Sequence, residues 1–327
     1  MKPIDWNDPA RAQNRTVDEI RARGAIFNIN HGIEVEDGDG CTTRLIGFPG
    51  NGTRMVSFHL LTHSPGGSYA MHRHLISEES LICVRGRGEV NLGRGFVPVS
   101  AGNFVYVPAG VEHATRCPKD ADGDFVVLSY HCPPALEYYQ TLGLFKNGAF
   151  DRAAIDEALL AAKPGNIPSA CVMRENDLGG PERGEQKGPE RVSREGGVFN
   201  MYRGAHYTQN GGLMRFVLWP GGGTRLVAQH IAFHEPGVAF RPHVHPVSED
   251  CVFVAAGRGA CYLESRWVDT QAGDILYAPA LVRHGTAAWP DATETFICTG
   301  CASPPQFDLY EHAGYLKDGR FTEFAWK

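Results

Sequence analysis

Short apolar runs separated by glycine and proline are the main pattern along the chain. The clearest runs, all rich in β-branched or aromatic residues, are Ser80–Val84, Phe104–Val107, Phe125–Ser129, Cys251–Ala255 and Ile275–Tyr277. Runs of this length, bounded by turn-forming residues, are typical of strands at the spacing found in barrels. The pattern therefore predicts an all-β protein.

Two segments depart from the strand pattern. Asp151–Lys163 is rich in helix formers, begins with a residue suited to the N-cap and is followed by Pro-Gly, so it predicts a short helix. Arg174–Gly197 is polar, charged and rich in glycine, which is typical of a linker. We therefore predict an N-terminal arm (1–43), a first domain with a helical extension (44–163), a linker (164–200) and a second domain with a tail (201–327).

The two halves of the chain are copies of one another. At an offset of 171 residues they align without a gap from Arg44 to Phe150, and turn residues such as Pro108 and Pro279 coincide. Ten of the fourteen histidines form coincident pairs: His59 and His230, His63 and His234, His72 and His243, His74 and His245, His113 and His284. Turns account for repeated glycines and prolines. They do not account for repeated imidazoles, so some of these histidines must bind something.

The charge distribution narrows the class of partner. The 31 basic and 37 acidic residues are interspersed, with a formal net charge of −6, which excludes the basic footprint of a nucleic-acid or anionic-membrane binder. No apolar run reaches the roughly 18 residues of a membrane span, and the first residues lack the apolar middle of a signal peptide. We expect a soluble, cytoplasmic protein that acts on a small molecule.

Cysteine usage fits the same compartment. Nine cysteines, an odd number scattered along the chain, indicate reduced thiols rather than a disulfide framework. Cys298 and Cys301 have CxxC spacing, but no second pair accompanies them, and we interpret them as ordinary strand residues.

The first copy contains a candidate metal site. His72 and His74 lie two apart on a predicted strand, so their imidazoles share one face. Glu79 follows five residues later, and His113 arrives from a distant strand. Three imidazoles and a carboxylate suit Mn, Fe(II), Ni, Cu or Zn better than Ca or Mg. His59, His63, His230 and His234 precede the motifs, and we interpret them as supporting or structural residues.

The second copy repeats the site with one change. Its predicted ligands are His243, His245, Asp250 and His284. Aspartate replaces glutamate, so either the shorter Asp250 coordinates or the adjacent Glu249 takes over through a shift of strand register.

These residues resemble the two motifs of the cupin superfamily. From Gly66, five residues lead to His72-x-His74, four more to Glu79 and six more to Gly86; from Gly102, five lead to Pro108-x-Gly110 and two to His113. The second copy departs from the motifs at Asp250 and at Leu281, where glycine is usual. The resemblance covers about residues 44–135 and 215–306. It implies two tandem cupin barrels, of the double-stranded β-helix or jelly-roll type, with a few short helices.

Two filled sites in one chain are similar to the bicupin oxidoreductases, among them quercetin-type dioxygenases and oxalate decarboxylases. The resemblance implies a metal-dependent dioxygenase acting on a small enol, phenol or keto-acid-like substrate, with up to two metal ions per chain, Fe(II) or Mn first and Ni, Cu or Zn as alternatives. Glu79 is a candidate base as well as a ligand. A non-oxidative decarboxylase, hydrolase or isomerase and a non-catalytic ligand-binding bicupin remain alternatives, because fold does not fix function.

Arg241 distinguishes the two copies. It lies two residues before His243, where strand alternation predicts an inward side chain, and its counterpart is Ala70. An inward arginine would clamp an anionic substrate; the alternative is a pair with Glu235 or a side chain in solvent. Because cupin barrels commonly associate through exposed strands and terminal arms, we also expect a homodimer or larger homo-oligomer.

Overall fold

The computed structural model describes residues 3–167, 180–209 and 211–326. The first half contains helix α1 (Val17–Arg23) and strands β1 (Ala25–Asn28), β2 (Ile33–Glu36), β3 (Cys41–Gly47), β4 (Ser57–His63), β5 (Ser68–His72), β6 (Glu78–Arg85), β7 (Arg87–Asn91), β8 (Phe96–Ser100), β9 (Asn103–Val107), β10 (His113–Arg116) and β11 (Phe125–Cys132). Then come helix α2 (Leu136–Thr141), strands β12 (Phe145–Lys146) and β13 (Ala149–Phe150), and helix α3 (Arg152–Ala161).

The second half repeats this order. It contains helix α4 (Pro189–Glu195) and strands β14 (Gly197–Asn200), β15 (Ala205–Gln209), β16 (Gly212–Leu218), β17 (Ala228–His234), β18 (Ala239–His243), β19 (Glu249–Ala256), β20 (Arg258–Leu263), β21 (Arg266–Gln271), β22 (Asp274–Ala278), β23 (His284–Ala287) and β24 (Phe296–Ser303). Helix α5 (Phe307–His312) and strands β25 (Leu316–Lys317) and β26 (Arg320–Phe321) follow. Among the described residues of both halves, no helix is long and apolar enough to cross a membrane.

Each half forms a two-sheet antiparallel barrel. In the first, the sheets have the orders β14-β9-β6-β11-β4-β3-β2 and β5-β10-β7-β8. In the second, they have the orders β1-β22-β19-β24-β17-β16-β15 and β18-β23-β20-β21. The prediction of an all-β protein with two tandem jelly-roll barrels is confirmed. The predicted helix is also present as α3, where the Asp151 side chain accepts a hydrogen bond from the Ala154 backbone N–H.

The barrels exchange edge strands. β1, which precedes the first barrel in sequence, pairs with β22 of the second, with Asn28 opposite Asp274. β14, which precedes the second barrel, pairs with β9 of the first. Each large sheet is therefore completed by a strand from the segment that we assigned to the arm or the linker. The division of the chain at residues 43, 163 and 200 stays a prediction, and residues 168–179 of the linker lie outside the described ranges.

One apolar core joins the two barrels. Buried side chains from both large sheets belong to a single cluster, which includes Phe27, Phe58, Tyr130, Ile231 and Tyr277. The ring of Phe27, supplied by the exchanged strand β1, packs edge-on against Phe58 with centroids 5.2 Å apart. The carboxylate of each predicted site lies on a large sheet, Glu79 on β6 and Asp250 on β19. The strand histidines lie on the small sheets, so each site lies between the two sheets of its barrel.

Candidate metal centres

The first barrel brings its four predicted ligands together. His72 ends β5 and lies opposite His113, the first residue of β10, in the strand register. His74 lies in the turn after β5, and Glu79 lies on β6. One ligand atom from each of these residues lies within 4.8 Å of the others. The predicted cluster therefore exists in the fold.

Backbone contacts orient the imidazoles. Nδ1 of His72 lies 2.9 Å from the Ala70 carbonyl, and Nδ1 of His113 lies 3.0 Å from the Val111 carbonyl. A carbonyl oxygen can only accept, so each Nδ1 carries the proton and each Nε2 keeps its lone pair for the site. Nδ1 of His74 lies 3.1 Å from Glu137 Oε1, which gives the same result. Contacts of this kind are usual behind histidines that bind metal ions.

The polar atoms at the centre fit a divalent transition-metal ion. Nε2 of His74, Nε2 of His113 and Oε2 of Glu79 are buried and have no hydrogen-bond partner. Nε2 of His113 is nevertheless 2.7 Å from Oε2 of Glu79, so a proton or a cation must separate the two lone pairs. Burial opposes ionisation of Glu79, but the surrounding histidines outweigh it and hold the pKa of that carboxyl well below its usual range. A bound cation would satisfy all three atoms.

The second barrel brings together three histidines. Nε2 of His243 and Nε2 of His245 are 3.1 Å apart, and His284 completes the cluster. Nδ1 of His243 lies 2.8 Å from the Arg241 carbonyl, and Nδ1 of His284 lies 2.9 Å from the Val282 carbonyl, which repeats the orientation of the first site. This set also suits a transition-metal ion.

Asp250 lies farther from the imidazole Nε2 atoms of its site than its counterpart Glu79 does. Its Oδ2 is 3.4 Å from Nε2 of His284 and 3.9 Å from Nε2 of His245. The same oxygen accepts a hydrogen bond from Nε2 of Gln306 at 3.2 Å, while Oδ1 is buried without a partner. The second site is therefore a three-histidine cluster with a carboxylate close beside it.

Glu249 cannot replace Asp250. On β19 successive side chains point to opposite faces, and Glu249 points out of its own barrel. Its Oε1 accepts a hydrogen bond from the Tyr277 hydroxyl, and its Oε2 accepts from backbone N–H groups of the first barrel. The structure therefore leaves Asp250 as the carboxylate at this site.

The second departure from the motifs, Leu281, preserves the turn. Its φ of 67° matches the left-handed conformation of its counterpart Gly110, and its side chain is exposed.

Arg241 does not share the inward face. Its side chain is exposed, and Phe240 lines the barrel cavity instead. The register of β18 against β23 shifts between Phe240 and His243, so the two-residue alternation that we used to orient Arg241 is broken there. The inward position predicted for Arg241 is wrong.

The histidines outside the motifs have separate surroundings. His59 lies 2.8 Å from the Tyr139 hydroxyl, and burial lowers its pKa to about 3. His63 and His234 contact the hydroxyls of Thr115 and Thr286 at 2.9 and 2.7 Å. His230 lines the cavity of the second barrel. The cysteines of the described ranges are buried and form no disulfide there.

Sequence reasoning missed two neighbours of Glu79. The Ser129 hydroxyl donates a 2.6 Å hydrogen bond to Glu79 Oε1, and Nε2 of His131 lies 3.5 Å from the same oxygen. His131 is a histidine on β11, but its counterpart in the second copy is Ala302, so it is not among the five coincident histidine pairs that indicated the metal sites.

The two sites differ most in the space beside them. A cavity of about 400 Å³ adjoins His243, His245 and His284, whereas the cavity at the first site measures about 20 Å³. Larger side chains fill the first barrel at equivalent positions: Leu61 for Ala232, Leu81 for Val252, His131 for Ala302 and Tyr138 for Leu309. Only the second site has room for a substrate-sized molecule.

Comparison with known proteins supports the fold. A family model described as a cupin domain matches residues 59–129 and 231–297. No curated protein matches the chain. Among solved structures, the protein Ylba from E. coli has a TM-score of 0.57 at 12% identity, covering 85% of this chain and 90% of that one.

Two further solved structures share the arrangement. Oxalate decarboxylase from Lactobacillus farciminis, solved as a formate complex, has a TM-score of 0.55 at 15% identity, covering 86% of each chain. Vicilin from hazelnut, Corylus avellana, has a TM-score of 0.54 at 13% identity, covering 85% of this chain and 86% of that one. At these identities the likeness shows the fold alone. With a cupin domain matched in each half and both motifs built into two-sheet barrels, the chain belongs to the cupin superfamily as a bicupin.

Proposed function

We propose that the protein is a metal-dependent enzyme that turns over its substrate in the second barrel, and that the reaction is the dioxygenation of a small enol, phenol or keto-acid-like molecule. The observation that carries this proposal is the cavity of about 400 Å³ beside the three histidines His243, His245 and His284. Catalytic metal sites keep an open coordination position and a space for substrate, whereas structural sites are closed.

The lining of the cavity defines the class of substrate. Its apolar wall includes Met214, Ala232, Phe240, Val252 and Leu309, which suits a flat, largely apolar body. Its polar groups include Tyr207, Gln209, Gln306, Asp308 and His312. Neither lysine nor arginine is among the described lining residues. A negative charge on the substrate would therefore be met by the metal ion, and a neutral enol or phenol fits better than a polyanion.

Different residues of the second barrel have different roles in the proposed reaction. The three imidazoles would hold the ion, which would supply Lewis acidity and redox chemistry. Asp250 stands beside them with a buried oxygen that has no hydrogen-bond partner, so it is the candidate acceptor for the hydroxyl proton of an enol or phenol. The apolar wall excludes water from the reacting atoms. Glu79, our earlier candidate base, faces a cavity too small for a substrate.

A non-oxidative reaction such as decarboxylation is the second candidate. Asp308 and His312, both on or at the end of α5, line the same cavity as Asp250. Titratable groups beyond the ligand set are what a proton-transfer reaction requires. The shared fold with the oxalate decarboxylase from Lactobacillus farciminis is compatible with this alternative.

The test combines oxygen consumption with a cavity-filling variant. Protein purified without a histidine tag is loaded with Fe(II) or Mn(II) and screened against enols, phenols and keto acids with an oxygen electrode. Ala232→Leu introduces the side chain that fills the first barrel, and Leu61→Ala is the matched change in the other copy. We expect Ala232→Leu to lower turnover at least tenfold with its metal content unchanged, and Leu61→Ala to leave turnover unchanged.

Three other results would decide against the proposal. Turnover without oxygen uptake would favour the non-oxidative alternative. Full turnover in Ala232→Leu would remove the second cavity as the site. Absence of bound metal after loading would favour a non-catalytic ligand-binding protein.

A further inference from the structure

The carboxylate of Glu79 is held in place through one of its two oxygens. The Ser129 hydroxyl donates to Oε1 at 2.6 Å, and Nε2 of His131 lies 3.5 Å from the same oxygen. Strand register fixes these neighbours, because Glu79 lies directly opposite His131 in the pairing of β6 with β11. Oε2 has no hydrogen-bond partner and faces Nε2 of His113 and His74, at 2.7 and 3.7 Å. Glu79 is therefore set to offer a single oxygen to an ion.

The second barrel lacks both supporting side chains. Gly300 stands at the position of Ser129, and Ala302 stands at the position of His131. The carboxylate there is shorter, lies at least 3.4 Å from the described Nε2 atoms and is bound through Oδ2 by Gln306. Residues behind a metal ligand that fix its orientation commonly change metal affinity by roughly 10–100-fold. The two sites should therefore differ in affinity.

The space around the first site is closed. A cavity of about 20 Å³ accommodates little more than one water molecule. Leu61, Leu81 and Tyr138 occupy the volume that is open in the second barrel. His131 adds its ring, which packs edge-on against His74 with centroids 4.7 Å apart. No substrate-sized molecule can approach an ion held there without rearrangement of these buried side chains.

We propose that the first barrel binds a divalent transition-metal ion tightly in a closed, non-catalytic site, and that Ser129 and His131 are the positioning residues that make this site the tighter of the two. The ion stabilises the fold, because it binds four side chains from β5, β6, β10 and the turn after β5 that only the folded chain brings together. The inference depends on the proposed function only in assigning turnover to the second barrel.

The test measures the affinity of each site for Mn(II) alone. Protein stripped with a chelator is reloaded with Mn(II) and dialysed against increasing concentrations of chelator, and bound manganese is measured by elemental mass spectrometry. We expect two classes of site in the wild type. His72→Ala should remove the tight class, and His243→Ala should remove the loose class. The double variant Ser129→Gly with His131→Ala, which copies the second barrel, should weaken the tight class at least tenfold.

Two controls separate positioning from general damage to the barrel. His63→Ala removes another buried histidine of the first barrel that contacts Thr115 rather than Glu79, so it should lower the melting temperature without weakening Mn(II) binding. Ser129→Ala removes one hydroxyl and should weaken the tight class even if the double variant does not fold. In every folded variant that still binds the tight ion, occupancy of the first site should raise the melting temperature.

The proposal is overturned by a single affinity for both wild-type sites, by wild-type Mn(II) release from the Ser129 and His131 variants, or by a melting temperature that does not respond to the tight ion. It is also overturned if His131→Ala lowers turnover when the second site is fully loaded. Metal affinity and melting temperature need no turnover, so failure to find a dioxygenase substrate leaves this test intact.

Discussion

Glu78 and Glu249 occupy equivalent positions in the two barrels, and each binds the backbone of the opposite barrel. Oε2 of Glu249 accepts a 2.7 Å hydrogen bond from the Met55 N–H, and Oε2 of Glu78 accepts one of 2.7 Å from the Leu226 N–H. The N–H groups on either side of these two residues also point at the carboxylates, at 3.0–3.3 Å. Since strand side chains alternate, β6 and β19 each carry an interface glutamate beside the carboxylate of a metal site.

We expect both carboxylates to contribute to the stability of the interface between the barrels. Glu249→Ala leaves one buried and two part-buried N–H groups of the first barrel without their acceptor, and the loss at a buried group costs about 1–3 kcal/mol. We expect the free energy of unfolding in urea to fall by about 3 kcal/mol, and Glu78→Ala to have a similar effect. The exposed Glu235→Ala should change it by less than about 0.5 kcal/mol. A loss below about 1 kcal/mol in both interface variants would show that the hydrogen bonds of Glu78 and Glu249 contribute little to the stability of the interface.

The sequence predicted the ligand cluster because the ligand residues follow a short motif that occurs in both copies. His72 and His74, together with a carboxylate and a distant histidine, recur in the second copy, and imidazoles at coincident positions have no role in turns. The exchange of β1 and β14 was not predictable from the sequence. Edge strands pair through backbone N–H and C=O groups, which do not depend on the identity of the side chains. The difference between the cavities was also hidden, since it depends on the summed volumes of buried side chains such as Leu61 and Ala232.

Arg241 illustrates a third kind of failure, in which the periodic rule itself breaks. The register of β18 against β23 shifts between Phe240 and His243, and the Arg241 side chain is exposed. Arg241 contacts the site through its carbonyl, which accepts the His243 Nδ1–H. Arg241→Ala keeps that carbonyl. We expect metal content and the KM for an acidic substrate to stay within about twofold of the wild type. An arginine clamp on a carboxylate would be worth about 1.5–3 kcal/mol, so a tenfold or greater rise in KM would contradict this placement.

His63 and His234 predict a loss of stability in mild acid. Burial lowers the pKa of each from the ordinary value of 6.5 to about 4. Below pH 6.5 the unfolded chain takes up a proton at each site and the folded chain does not, so stability falls as the pH falls towards 4. From pH 7 to pH 5 the expected loss in metal-free protein is on the order of 1–2 kcal/mol for each histidine.

Urea unfolding at the two pH values measures this loss. His63→Gln removes one titrating group, so its loss between pH 7 and pH 5 should be smaller than that of the wild type by about 1–2 kcal/mol. His312→Gln, a change of an exposed histidine, should keep the full wild-type loss. Equal pH dependence in all three proteins would mean that His63 does not stay neutral in the folded chain.

We expect the buried ion pair of Arg11 with Asp274 to contribute strongly to the attachment of the N-terminal arm to the second barrel. Its Nη1 lies 2.6 Å from Asp274 Oδ1, and the two side chains are 1% and 0% exposed. Asp274 lies at the start of β22, opposite the last residue of β1, so the ion pair lies where the exchanged strand joins the sheet. Arg11→Ala leaves a buried carboxylate without its cation, which typically costs about 3–5 kcal/mol. We expect a loss of this size in urea unfolding, while Arg320→Ala, at an exposed position, should cost less than about 0.5 kcal/mol. If Arg11→Ala costs less than about 1 kcal/mol, the backbone pairing of β1 with β22 holds the arm without help from the ion pair.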